Sequence, residues 1–332
     1  MTAAFTICAN NYLAHAKTLA LSFKAQHPDT PFIIAILDAP HASITYTDLG
    51  ADTILWIPEL LPDLVNGLTD TYGIAELCTV VKPELFKHLY QQYDCLLYID
   101  PDIKVFSPFT EVFAALKTHD VVLTPHICSP TGEVGHPLDK DLMRTGIYNL
   151  GFLAMNKTQE TLDFVAWWDK RVKAFGYHDL KKGFFYDQIW LGYAPAFLNH
   201  VFVLRHLGYN MANWNLHERQ LVKIEDNYYV NNSTCPLCFF HYSHFKMEAL
   251  PVLASYNKNF TLDNRPDLSA VYMEYQSDLL MNGYTELKGI DYKYGKRPIA
   301  KGAEKPKKQA KRNRLYRVLA LQKKALRTLI KG

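Results

Sequence analysis

Five apolar residues, Cys95-Leu96-Leu97-Tyr98-Ile99, run directly into Asp100-Pro101-Asp102. A short continuous apolar run stopped by a proline turn is the pattern of a strand buried on both faces. It constrains the fold, because such a strand needs helices above and below it. The neighbouring sequence supplies them. Residues 3–9 (AAFTICA), Phe32–Leu37, Thr53–Ile57, Val121–Leu123 and 150–155 read as further short strands. Between them, 13–26, 79–92, 109–117 and 158–175 have helical spacing, with Pro83 suited to a first helical turn. Strands alternating with helices predict an α/β fold with a mixed, mainly parallel sheet flanked by helices. Ligands of such sheets sit beyond the carboxyl ends of the strands, and Asp100 and Asp102 lie at one of those ends.

At 332 residues with 48% apolar and 21% charged side chains, the chain is long enough and apolar enough for a substantial core, which excludes wholesale disorder. No apolar stretch approaches the length of a membrane span, and the N-terminus lacks a basic segment before its first apolar run. A cytoplasmic location is expected. The net charge of +3 hides two opposed parts. Residues 296–332 hold 14 Lys and Arg against one acid, Glu304, while the rest of the chain holds 22 bases and 32 acids. Within this tail, 301–312 reads as a polar linker. Residues 313–330 place Leu315, Val318, Leu319, Leu326, Leu329 and Ile330 on one helical face, flanked by Arg314, Arg317, Lys323, Lys324 and Arg327. Such a basic amphipathic helix suits an anionic membrane surface, here the inner face of the cell membrane. Packing on the body, or on a second copy in a homo-oligomer, is the alternative. No nucleic-acid motif accompanies the charge. The expected organisation is a catalytic domain over 1–260, a helical extension over 261–300, and the basic linker and helix over 301–332.

Of six cysteines, only Cys235 and Cys238 form a C-x-x-C. His241 and His244 would complete a four-ligand set, but the interval is far shorter than zinc fingers use. Reduced, scattered thiols are the expectation. From 124 to 148 the chain is polar and rich in Gly and Pro, and reads as a long loop.

Two carboxylates at i and i+2 on a turn can share one hard divalent cation, Mg²⁺ or Mn²⁺, which keeps positions for water or phosphate oxygens. An ion of that kind stabilises a diphosphate as a leaving group. Alone, D-x-D is a weak signal, and capping of the next turn explains it equally well. Six phrases in order make it specific: FTICANNY (5–12), HPDTPFIIAILDA (27–39), the block from Thr79 to Phe106, YNLGFLAMN (148–156), YDQIW (186–190) and FHYSHFK (240–246). Over residues 4–250 the chain resembles GT-A-fold (Rossmann-like) glycosyltransferases of family 8. NWNLHER (213–219) resembles a bacterial polysaccharide and lipopolysaccharide subgroup.

The resemblance implies roles. Ala9, Asn10, Asn11 and Tyr12 would contact a uracil-like base and its ribose, or simply start a helix. Lys82 would approach the donor phosphates, or sit on a solvated helix face. Asp100, Asp102 and His241 would bind Mn²⁺ or Mg²⁺. Asn149 and Gly151 would lie beside the donor sugar, with Asp187 and Gln188 across the ring; Asp187 also fits a helix N-cap. Trp214, His217, Glu218 and Arg219 are the acceptor-side candidates. Glu218 reads either as a base on an acceptor hydroxyl or as the structural partner of Arg219. Two departures stand out. His244 replaces the family's glycine three residues after the metal histidine, and its Lys-Pro-Trp is reduced to Lys246-Met247-Glu248, which weakens Lys246 as a phosphate contact. The expected activity is metal-dependent transfer from a nucleotide-diphosphate sugar, UDP-linked by preference, to a glycan or lipid-linked glycan. Retention is implied, with inversion as the alternative. A nucleotidyltransferase is disfavoured by the lack of glycine in FTICANNYLAH, and a non-catalytic scaffold by the retained acids and histidine.

Overall fold

The computed structural model describes residues 1–132 and 139–297. The expected linker and helix over 301–332, and the middle of the expected loop, lie outside the described residues. Strand β1 is Thr2–Cys8 and leads into helix α1, Leu13–Gln26. Strands β2 (Phe32–Ile36) and β3 (Thr53–Trp56) follow, then helices α2 (Ile74–Val80) and α3 (Lys82–Leu89). Strand β4 is Cys95–Ile99, β5 is Ile103–Val105, helix α4 is Thr110–Ala115 and strand β6 is Val121–Pro125. Helix α5 is Asp139–Thr145, strand β7 is Tyr148–Asn156, helix α6 is Gln159–Phe175 and strand β8 is Val201–Val203. Finally come β9 (Met211–Ala212), β10 (Phe239–His241) and helix α7 (Ser269–Met281).

Seven strands form the central sheet in the order β8-β6-β7-β4-β1-β2-β3. All neighbours run parallel except around β7, which is antiparallel to both β4 and β6. The mixed, mainly parallel sheet with helices on its faces is therefore present. Alternate residues serve opposite faces, as a pleated strand requires. Ala3, Phe5 and Ile7 pack in one core with Leu85, Phe86 and Trp168, while Ala4 and Cys8 pack in the other with Leu19 and Phe23 of α1.

β7 has a consequence for the site. Because it runs against β4, its N-terminal end arrives at the edge where β4 ends, and Ile99 pairs with Phe152. A small second sheet, β9-β10-β5, stands beside that edge, with Ile103 paired to His241.

Three expectations change. The stretch read as a loop over 124–148 contains α5, where acids open the first turn, Arg144 closes the last, and Thr131 and Asp139 exchange side-chain bonds. Only Leu142 of this helix is buried, so its sequence carries almost no apolar period. The helix expected over 79–92 starts at Lys82, with Pro83 in its first turn. Residues 261–296 are continuous with the compact unit Met1–Lys296. Helix α7 buries Val271, Tyr272, Tyr275 and Leu279 against Met211, Phe240 and Tyr242, and the Tyr242 and Tyr275 rings stack at 3.7 Å.

Candidate active site

The acidic turn is held at both ends by backbone. Asp100 N–H donates to Gly151 O at 2.7 Å, and Tyr242 N–H donates to Asp102 O at 2.9 Å. The register of β5 on β10 then sets His241 next to Asp102. Its Nε2 lies 3.1 Å from Asp102 Oδ1 and 3.8 Å from Asp100 Oδ2. Ligand atoms of Asp100, Asp102 and His241 lie within 4.8 Å of one another, and they form the one such cluster of three or more among the described residues. Two carboxylate oxygens and one imidazole nitrogen at this spacing fit a Mn²⁺- or Mg²⁺-type ion.

The rest of the imidazole confirms the fit. His241 Nδ1 is 3.2 Å from Asn149 Oδ1, which assigns the proton to Nδ1 and turns Nε2 toward the acids. Burial works against an imidazolium here. The charge and hydrogen bond of Asp102, and the charge of Asp100, outweigh it and hold His241 above its ordinary value. Burial also opposes ionised Asp102, yet the charge and hydrogen bond of His241 bring that carboxyl below its usual range. Asp100 moves the other way, raised by burial against the pull of Lys82 and His241. To hold a cation here, His241 would give up its Nε2 proton while Asp100 and Asp102 stay ionised.

Gly151 makes the arrangement possible. A Cβ at this position would lie 2.7 Å from His241 Nδ1 and 2.8 Å from Asn149 Oδ1, closer than real atoms approach. The glycine serves the imidazole's approach to the strand.

Asn149 is the hub. Its Oδ1 also accepts from Gly151 N–H at 3.2 Å, and its Nδ2 faces Gln188 Oε1 at 3.2 Å and His126 Nε2 at 3.3 Å. Gln188 Oε1 accepts from Leu150 N–H as well, and its Nε2 donates to Thr145 O. His126 Nδ1 faces Ile147 O at 3.3 Å. Burial pushes this imidazole down to about 4, so it is neutral at pH 7.

Lys82 is 1% exposed, which removes the solvated-face reading. Its Nζ pairs with Asp187 Oδ2 at 2.6 Å and sits 3.9 Å above the centre of the Tyr98 ring, whose hydroxyl donates to Asp100. Burial raises the Asp187 carboxyl, and Lys82 opposes that rise.

Asp100, Asp102, His241, Asn149, Gly151, His126, Gln188, Lys82 and Asp187 line one cavity of about 590 Å³. Trp214, His178, Tyr186, His244 and Tyr256 complete its walls, and Trp214 stands edge-on to both His241 and His126. Other candidates lie elsewhere. Glu218 lines a separate depression of about 470 Å³ with His217 and Arg219. Its carboxylate accepts from Cys128 N–H, Ser129 Oγ and Arg219, which leaves it engaged on every side. Ala9 to Tyr12 lie at the end of β1, outside the cavity lining. Asn10 bonds Ala39 O and the Tyr46 hydroxyl, and its N–H donates to Asp38. Tyr12 stacks on His15 at 4.1 Å, and the charges of Asp102 and Asp100 reach its phenol. Lys246 lies near Glu248 and His244, outside the cavity lining. Cys235 faces His206 rather than His241, and all six cysteines are free. Among the described residues, no helix is long and apolar enough to cross a membrane.

No family model matches this chain. It is similar to the uncharacterised protein YfnF of Bacillus subtilis strain 168, 23% identical over 285 residues, covering 84% of this chain and 92% of that one. A second relative, YfnD of the same organism, is 26% identical over 229 residues, covering 66% and 67%. Among solved structures, the galactosyltransferase LgtC with donor and acceptor sugar analogues aligns at a TM-score of 0.47 and 16% identity, over 88% of this chain and 98% of that one. The glycosyltransferase GlyE of Streptococcus pneumoniae TIGR4 aligns at a TM-score of 0.47 and 15% identity, over 90% and 67%.

The geometry makes two predictions. Gly151→Ala moves His241 off Asp102 and weakens Mn²⁺ binding by about tenfold or more, the usual cost of disturbing a ligand's support; unchanged affinity in a calorimetric titration refutes this. Lys82→Met leaves the Asp187 charge buried alone and costs about 3–5 kcal/mol in urea unfolding, whereas Lys82→Met with Asp187→Leu recovers most of it. Equal loss in the single and double variants contradicts the pairing.

Proposed function

We propose that this chain is a metal-dependent glycosyltransferase of GT-A type that uses a nucleotide-diphosphate sugar. The observation that carries the reading is the meeting of Asp100, Asp102 and His241 at the wall of the 590 Å³ cavity. A bound Mn²⁺ or Mg²⁺ would neutralise the diphosphate as it leaves. The protein's part is to hold the acids and imidazole ready, through Asn149, Gly151 and the β5/β10 register. The aromatic walls would exclude water from a reacting sugar, with Trp214 packed beside His241.

Retention of anomeric configuration is the finer part of this reading. An inverting course would use a side-chain base, and the carboxylates of the cavity are already engaged. Among the described residues lining the cavity, Asp100 and Asp102 belong to the metal set, Asp187 is bound to Lys82, and Asp141 is already engaged. Glu218 lies outside the cavity. In the retaining course the departing phosphate would take the acceptor's proton on the same face. A UDP-linked donor rests on the resemblance of residues 5–12. A lipid-linked glycan acceptor at an anionic membrane face rests on the basic composition of 301–332.

Two experiments test the reading. A panel of nucleotide sugars with Mn²⁺ should raise the melting temperature for at least one member. Hydrolysis of that donor should then fall by about two orders of magnitude or more in Asp102→Ala, given the several kcal/mol a metal supplies. Equal rates end the enzyme reading. For the tail, removing 301–332 should abolish cosedimentation with anionic liposomes and leave donor hydrolysis intact; unchanged sedimentation counts against the membrane role.

A further inference from the structure

Six aromatic rings form a connected chain that reaches the surface of the compact unit Met1–Lys296. The Phe197 ring meets Trp167 at 5.0 Å and Tyr193 at 5.2 Å. Trp167 meets Trp190 at 6.1 Å, Trp190 meets Phe175 at 6.1 Å, and Phe175 stacks on Phe184 at 5.4 Å. Three segments supply them: helix α6, the helical turns Gln188–Tyr193 and Ala194–Phe197, and a hairpin that pairs His178–Asp179 with Phe184–Phe185. The core does not cover them. Tyr193 is 50% exposed, Phe197 52% and Phe175 39%, and the other three are half-buried. Apolar rings left side by side in water are unfavourable, and a continuous patch of them marks an interaction surface.

The charges beside the patch indicate what it meets. Lys170 and Arg171 follow Trp167 by three and four residues, the spacing that brings helical side chains together. The Arg171 guanidinium lies 5.6 Å from the centre of the Trp167 ring. Lys181 and Lys182 are exposed in the turn of the hairpin that carries Phe184. Asp179 pairs with Lys182 at 2.6 Å, and Asp163, one turn before Trp167, accepts from Gln159. Lys170, Arg171 and Lys181 pair with no carboxylate among the described residues. Trp and Tyr rings with a basic fringe suit the interfacial layer of an anionic bilayer, where the rings sit among headgroups and the cations meet lipid phosphate. The hairpin also ties this face to the site. Successive strand residues face opposite ways, so Phe185 lines the cavity while Phe184 stacks on Phe175.

We propose that this aromatic face with its basic fringe docks on an anionic membrane surface, as a contact separate from residues 301–332. The inference rests on the membrane reading above and deepens it. A single anchoring signal gives marginal, reversible binding and stable attachment takes two, so body and tail each supply one.

The full chain is tested on phosphatidylglycerol–phosphatidylcholine vesicles whose acyl chains carry bromine, which quenches tryptophan on contact. The five tryptophans are at 56, 167, 168, 190 and 214, and residues 301–332 hold none, so quenching reports on the body alone. Wild-type chain should cosediment with the vesicles and lose emission. Trp167→Phe with Trp190→Phe should cosediment and escape most of the quenching. Tyr193→Ser with Phe197→Ser, at two exposed positions, should melt unchanged and bind about tenfold more weakly, the loss of two half-exposed rings. Lys170→Gln with Lys181→Gln should weaken binding about tenfold or more. Cosedimentation without quenching leaves the tail as the sole contact and overturns this inference while the membrane reading stands. Absence of wild-type cosedimentation overturns both. Quenching that persists without Trp167 and Trp190, or unchanged affinity in Tyr193→Ser with Phe197→Ser, places the contact elsewhere and overturns it too. So does a vesicle-free dimer that the latter variant turns into a monomer in light scattering, since the face then belongs to a second copy.

Discussion

The site depends on a bare stretch of backbone at Gly151 meeting the imidazole of His241. Three chain segments far apart in sequence converge there: the turn after β4, the start of β7 and the end of β10. Backbone pairing fixes each one, through Asp100 N–H to Gly151 O, Tyr242 N–H to Asp102 O, and Ile103 opposite His241. The carboxylates and imidazole are thus located by ladders rather than by their own flexible side chains, which would keep them ready for a cation without ordering them anew. A side chain at 151 would separate β7 from β10 and leave the acids without their third partner.

Lys82 and Asp187 illustrate a different economy. A buried ion pair is weak evidence for stability, since removing two charges from water costs several kcal/mol per ion. Here the pair is one link of a longer chain. Lys82 also lies on the face of Tyr98, and the Tyr98 hydroxyl donates to Asp100. Charge on the acidic turn is therefore coupled to the start of helix α3 and to the segment entering Gln188. Gln188 in turn bonds Leu150 N–H and Asn149, which supports His241. The two routes from the acids, through Tyr98 and through His241, close into one ring around the cavity floor.

Much of this was legible in the sequence where the signal was local. The apolar run Cys95–Ile99 ending in two acids marked the strand, the turn and two members of the acid–imidazole cluster together. The phrases around Asn149, Gly151, Asp187 and His241 marked positions that the fold does bring to one cavity. Legibility failed where a residue's meaning lies in a distant partner. Glu218 looked available as a base, but its acceptors are filled by Cys128 and Ser129, some 90 positions away. His126 gave no sign of itself, because its bond to Asn149 crosses between neighbouring strands. Asp38, which binds Asn10 N–H at the end of β1, was visible only as part of a turn. Helix α5 was missed because a helix with one buried side chain carries no apolar period.

The same comparison explains what kind of chemistry the cavity can hold. Nearly every polar group of its floor is satisfied by the protein itself: Asn149 by Gln188 and His126, Gln188 by Thr145, Asp187 by Lys82. Such a floor shapes and orients a ligand but has little spare capacity to move protons. The capacity left over sits at the metal set and on the walls at Trp214 and His244. A reaction whose charge develops on a leaving group held by a cation suits that partition, because its proton transfer can be handled by the leaving group.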